Sequence, residues 1–206
     1  IAMRDGFFYI VDGASSKTME LNSYGDLLSL YYNEDSETAD LIKKSIRPAA
    51  SVHCEIGYPF EYPGLIAIDS SKCIYEACII PKATQELRSD GVLLSQAVIR
   101  FARDGSNVDY IGQQGPGGTP FPMIKNIYIT EKDELVVVCN LNEGYEVFWF
   151  GTDNLKKYSV VINPQTIPQL SKDETDEKFV SICNVIPDLN EDKLYIAECF
   201  AGNATT

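Results

Sequence analysis

Short apolar runs bounded by polar turns return along this chain at a long, slowly shrinking period. A polar turn feeds an apolar strand at Arg4-Asp5-Gly6-Phe7-Phe8-Tyr9-Ile10-Val11 and again at Ser70-Ser71-Lys72-Cys73-Ile74-Tyr75-Glu76-Ala77. The unit recurs at Lys132-Asp133-Glu134-Leu135-Val136-Val137-Val138-Cys139 and at Glu191-Asp192-Lys193-Leu194-Tyr195-Ile196-Ala197-Glu198. Anchored on Phe8, Ile74, Val136 and Leu194, the copies stand 66, 62 and 58 residues apart. A drifting period of that kind fits structural repeats with loop insertions, each burying its faces against the next.

Strand signals dominate the rest of each unit, as Val-, Ile-, Tyr- and Phe-rich runs bounded by Gly, Asn, Asp and Ser. Thr18-Met19-Glu20-Leu21 and Leu27–Tyr31 extend the first unit, with the turn Tyr24-Gly25-Asp26 between them. Ala97–Phe101 and Val108–Ile111 flank Asp104-Gly105-Ser106 in the second, and Glu146–Phe150 and Tyr158–Ile162 flank Thr152-Asp153-Asn154 in the third. A further strand precedes each later inner strand, at Leu65–Ile68, Ile124–Ile129 and Phe179–Cys183. Four antiparallel strands per unit is the make-up of a propeller blade. The chain therefore reads as all-β: the last three strands of one blade, two whole blades and the first two strands of another, about three to four blades in a single domain or domain fragment over 1–206. Such an inventory is expected to need further blades, from a longer chain or a second copy, to close a ring. Two insertions interrupt the pattern. One spans 33–63, with a short helix expected over Glu37–Lys44 and the aromatic stretch Tyr58-Pro59-Phe60-Glu61-Tyr62-Pro63; the other spans 81–94, with a turn at Asp90-Gly91.

Composition narrows the partners. With 45% hydrophobic residues in 206, the chain can bury a sizeable core. Thirty acidic against 17 basic residues give a net charge of −13, which would repel a phosphate backbone, so nucleic acid is excluded as a general partner. No stretch approaches the roughly 20 apolar residues that span a bilayer, so no transmembrane segment is expected.

Six cysteines form no Cys-x-x-Cys pair and His53 is the sole histidine, which argues against a zinc site. Cys78, Cys139 and Cys199 stand at similar places near inner strand ends, where a small buried hydrophobe is expected, with disulfides as the alternative. The glycine-rich stretch 112–118 lacks the Gly-Lys-Ser/Thr ending of a phosphate loop and reads as a turn. A nucleophilic triad has no support, because no Gly-x-Ser-x-Gly is present. His53 and Cys54 are strand neighbours, which point to opposite faces, and Trp149 is expected in an apolar interface between sheets.

The stretch Gly112-Gln113-Gln114-Gly115-Pro116-Gly117-Gly118-Thr119-Pro120-Phe121-Pro122, followed by Ile124, Ile127 and Ile129, resembles the inter-blade signature of NHL-type propellers. Phe60-Glu61-Tyr62-Pro63-Gly64-Leu65-Ile66-Ala67-Ile68-Asp69 is a similar variant, and Tyr9-Ile10-Val11-Asp12 resembles that family's strand ending in Asp. Over its whole length the chain further resembles a family of uncharacterised six-bladed propeller lipoproteins of spirochaetes. That resemblance implies a six-bladed NHL-like ring and a bacterial periplasm or cell envelope location, lipid-anchored through a segment outside this sequence. Here the repeats are longer than simple NHL repeats, and no lipobox is visible.

On this reading the protein is a non-catalytic binding or scaffold module, without a cofactor, that recognises a protein partner through propeller-face loops. Tyr58, Phe60, Tyr62, Gln113, Gln114 and Phe121 are the expected contact residues. The alternative is a calcium-dependent hydrolase or lactonase of the propeller type, with Ca²⁺ on oxygen ligands near inner strands: Asp12, Asp69, Glu76, Asn140 and, further on, Glu198.

Overall fold

A single hairpin geometry, used six times among the described residues, sets much of the strand order. At Asn22–Asp26, Asp69–Cys73, Arg88–Val92, Ala102–Ser106, Thr130–Glu134 and Gly151–Leu155, the first amide donates to the carbonyl four residues on, and the amide three residues on donates back to the first carbonyl. The fourth position of each loop has positive φ: Gly25 82°, Lys72 64°, Gly91 84°, Gly105 80°, Asp133 58° and Asn154 61°. This is a turn closed by a left-handed residue, whose twist suits antiparallel strands. Side chains finish the loops. Asn22 Oδ1 accepts from the amides of Tyr24 and Asp26, Asp69 Oδ1 from Cys73, Thr130 Oγ1 from Lys132 and Glu134, and Asp153 Oδ1 from Leu155.

The computed structural model describes residues 1–32, 50–53, 61–163 and 178–201, and over these the protein is all-β with several antiparallel sheets. The unit Ile1–Pro122 holds two main sheets. The first is β1 (Ala2–Arg4), β2 (Phe7–Asp12), β3 (Lys17–Leu21) and β4 (Leu27–Tyr32) in chain order, with β5 (Ser51–His53) added parallel to β4. The second starts with β6 (Glu61–Ile68) and β7 (Ile74–Ile79). A connection follows that contains a 3-10 turn at Lys82–Thr84 and a small hairpin of β8 (Glu86–Leu87) and β9 (Leu93–Leu94). β10 (Gln96–Phe101), β11 (Asp109–Gly112) and β12 (Gly115–Pro116) complete that sheet. In the unit Met123–Thr206, β13 (Ile124–Ile129), β14 (Leu135–Leu141), β15 (Gly144–Phe150) and β16 (Lys156–Ile162) form a four-stranded meander, and β17 (Lys178–Pro187) pairs with β18 (Leu194–Ala201).

Where three strands were expected in the first unit, four antiparallel strands are present. Ala2–Arg4 pairs with Phe7–Tyr9 across Asp5-Gly6, both at positive φ (51° and 78°), a two-residue loop too short for its first arm to show an apolar pattern. The helix expected over Glu37–Lys44 lies outside the described residues.

Burial alternates along β3, whereas β16 is exposed over six of its seven residues. β7 and β14, the second strands of their sheets, are apolar and buried almost throughout, as expected of strands covered on both faces. In the first unit Tyr9, Tyr31, Ile68, Ile74, Cys78, Ile99 and Phe101 make one core. In the second Val136, Val138, Tyr145, Val147, Trp149, Ile162 and Val185 make another. Trp149 Nε1 donates to Glu134 at 2.8 Å and its ring stacks on Tyr158 at 5.6 Å, so the indole packs between strands with its polar end satisfied.

β3 inverts the usual rule. Thr18 and Glu20 face inward at 2% and 0% exposure while Lys17, Met19 and Leu21 on the other face are half-buried.

Candidate functional site

The glycine-rich loop after β11 holds itself together. Gln113 donates through its amide to the Thr119 carbonyl at 2.7 Å and through Nε2 to the Pro120 carbonyl at 2.7 Å. Gln114 Oε1 accepts the Thr119 amide at 2.7 Å. A Cβ at Gly112 would fall 2.3 Å from the Gly118 carbonyl oxygen, so the loop closes only because that position is glycine. Phe121 is fully buried and exchanges backbone hydrogen bonds with Gln96. This corrects the expected contact role of Phe121: its ring is a packing element with no face to offer a partner. The carboxamides of Gln113 and Gln114 are spent on the loop's own backbone. Tyr58 and Phe60 lie outside the described residues; Tyr62 stands on β6.

The acidic candidates occupy separate, locally explained places. Asp12, at the exposed end of β2, accepts from the Ser15 hydroxyl at 2.6 Å and from the Ala14 and Ser15 amides. The Ser15 bond and then the Ala14 amide hold its carboxyl below the usual carboxylate range. Asp69 closes the β6–β7 hairpin through the Cys73 amide at 2.8 Å, with the Tyr75 hydroxyl at 3.4 Å. Asn140, near the end of β14, places Nδ2 3.9 Å from Met123 Sδ and lines an open pocket. Glu198 is half-buried on β18. Among the described residues no group of three or more His, Cys, Asp or Glu side chains is arranged to hold a metal ion.

Glu76 sits on β7 at 1% exposure, and its carboxylate accepts a short hydrogen bond from the Thr18 hydroxyl of the neighbouring sheet. Burial pushes its carboxyl up to about 7, opposed in part by the Thr18 bond.

A second inward carboxylate went unseen in the sequence. Glu20 is gripped by Arg103 across the two sheets of the first unit, with guanidinium contacts of 2.6 and 3.1 Å. Tyr9 donates to it at 3.4 Å. The Tyr31 hydroxyl donates to the Arg103 carbonyl at 2.6 Å, with Glu20 Oε2 a longer acceptor at 3.2 Å. Burial, then the Glu20 charge, pushes the Tyr9 phenol up to about 12, and burial raises Tyr31. His53 stacks on Tyr31 at 4.9 Å, and burial lowers its pKa. The only cue was Glu20 between two tyrosine-bearing strands in a stretch that otherwise reads as a solvent-facing alternation.

Cys78 and Cys139 are the expected small buried hydrophobes at 1% and 0% exposure. Cys199 is not: it forms a disulfide with Cys183 across the β17–β18 pair, with Cα atoms 6.3 Å apart. The paired register Ser181↔Cys199 sets the two strands close enough for the bond. No helix of the described residues is long and apolar enough to cross a membrane. No protein-family model matches the chain, and no curated protein matches it.

Proposed function

We propose that this chain is a β-propeller segment of NHL-like type that serves as a binding or scaffold module of a bacterial cell envelope, recognising a protein partner through its hairpin loops. The observation that carries the reading is the repeated four-stranded meander closed by one hairpin geometry in successive sheets, which is how blades are built. Rigid hairpins of this kind present loops with little ordering cost on binding. A structural role for the inward polar groups is supported by their pairing, because every buried side-chain nitrogen and oxygen among the described residues has a hydrogen-bond partner. The Cys183–Cys199 disulfide supports an oxidising compartment such as the periplasm.

The test is capture of a partner from an envelope extract by the wild-type chain and by a Tyr58→Ala, Phe60→Ala, Tyr62→Ala variant. Loss of one captured band with an unchanged melting temperature is expected. Equal capture by both proteins rejects the aromatic stretch as the recognition surface.

A further inference from the structure

Resting on the binding-module reading, we propose that the open pocket at the β14–β15 hairpin takes the cationic side chain of a lysine or arginine presented by a protein partner. The pocket has a volume of about 440 Å³, within the range of small-ligand sites. Its wall is a two-residue loop, Asn142-Glu143, between the paired residues Leu141 and Gly144. Gly144 has φ 119°, and a Cβ there would lie 2.1 Å from the Ile162 carbonyl oxygen. The hairpin tip is therefore pressed onto the end of β16 in a way only glycine permits, which fixes the pocket before any ligand arrives.

Its chemistry favours an organic cation. Asn142 and Glu143 are exposed, and with Ser181 they make no hydrogen bond or ion pair among the described residues, in contrast to the satisfied turn carboxylates. Asn140 adds a carboxamide whose hydrogen bond among the described residues is the weak one to the Met123 sulfur. Among the described residues the lining holds one carboxylate and no lysine or arginine, so an anion meets repulsion. One carboxylate is too few hard ligands for a calcium site. Tyr145 is 7% exposed and its hydroxyl is spent on the Cys183 carbonyl at 2.9 Å, so the ring offers no open face for a sugar to stack on. Leu141 and Ile182, both half-buried, supply apolar wall for a methylene stem, and Asn142, Glu143 and Ser181 supply acceptors for its head. The net charge of −13 draws basic partners toward the chain as a whole.

The experiment is a backbone-amide NMR titration of the full chain with N-acetyl-lysine methylamide, its uncharged norleucine isostere, and putrescine. Saturable shifts confined to residues 140–145 and 181–182 are expected with the lysine compound and not with the norleucine one, weakened roughly threefold or more in Glu143→Gln and by added salt. Equal shifts with norleucine, undiminished binding to Glu143→Gln, or shifts elsewhere overturn the assignment. Tighter binding of putrescine than of the lysine compound overturns the protein side chain as the source of the cation. Asn142→Ala, at an exposed hairpin tip, repeats the test in a second fold-neutral background. The titration uses isolated amino-acid amides, so its failure and the failure of the capture experiment are read separately.

Discussion

Replacing Glu76 by Gln isolates the consequence of a carboxyl group buried between two sheets. Its pKa is raised from 4.5 to about 7 by burial, with Thr18 as its hydrogen-bond donor. For an acid shifted upward, folded and unfolded states are both protonated below pH 4.5; between 4.5 and 7 the folded state alone keeps the proton; above 7 the fold carries an ionised, desolvated carboxylate. Stability from this group is therefore greatest at low pH and lost as pH rises through that window. At 1.36 kcal/mol per pKa unit the loss amounts to about 3 kcal/mol. Gln does not titrate. Its amide can still accept from Thr18, but its NH₂ brings donors into a buried site, at a pH-independent cost of about 1 to 3 kcal/mol. The absolute effect of the substitution therefore depends on that cost, whereas its pH dependence does not. Urea unfolding followed by far-UV circular dichroism, from pH 4.5 to 8.5, gives the stability difference between Glu76→Gln and wild type. That difference is expected to move in favour of Gln by about 3 kcal/mol as pH rises through the window. All other carboxylates are common to both proteins and cancel. Two parallel stability curves would refute the reasoning, since they would mean that Glu76 is ionised in water-like surroundings in the folded protein.

Arg103→Met leaves Glu20 buried without its cation; with the guanidinium 43% exposed, the cost is discounted to about 2 kcal/mol, and Glu20→Gln in the same chain should recover part of it in urea titrations. Phe121→Ala removes a fully buried ring and should cost about 3 to 5 kcal/mol while partner capture by the folded protein is unchanged; loss of capture at full stability would restore the contact role. Reduction of Cys183–Cys199, which closes a separation of 16 residues, should speed amide exchange in β17 and β18 more than in β13–β16, reflecting about 3 kcal/mol of lost cross-link stabilisation. Calcium at millimolar concentration should leave the melting temperature unchanged in chelator-treated protein, and a rise would revive the hydrolase alternative by linkage.

The scaffold was legible wherever apolar runs are long and turn chemistry is explicit. Ile124–Ile129 matches its strand to the residue, and the turns at Tyr24-Gly25-Asp26, Asp104-Gly105-Ser106 and Thr152-Asp153-Asn154 fall in one recurrent hairpin class. Legibility failed where tertiary context overrides polarity. Nothing local says that Glu20 points inward, because its partner Arg103 is 83 residues away. Phe121 looked like a loop aromatic because it ends a glycine-rich run, yet the bridge to Gln96 carries it into the core. Cys199 stands near the end of its inner strand much as Cys78 and Cys139 do, but its strand pairs with one that supplies Cys183.

Departures from a repeat say more about a particular protein than the repeat does, provided they are sorted by what satisfies them. In the anchored alignment Glu76 stands where the other units have Ile10, Val138 and Ile196, and in strand register Glu20 stands where they have Arg100 and Phe148. Both departures are internally answered, one by Thr18 and one by Arg103 with its tyrosines, so they account for themselves as parts of the fold. The hairpin between second and third strands departs in every unit: Gly13–Ser16 in the first, the long connection with β8 and β9 in the next, and Asn142-Glu143 in the third. In the first of these Asp12 is occupied by the turn itself, and in the second Asp90 is held by Arg88 at 2.8 Å. At Asn142-Glu143 the polar side chains are held out beside a pocket, with no hydrogen-bond or ion-pair partner among the described residues. A free carboxylate on a two-residue loop costs the fold little and answers no structural need, which is why that hairpin, rather than either buried glutamate, is where a partner should be sought.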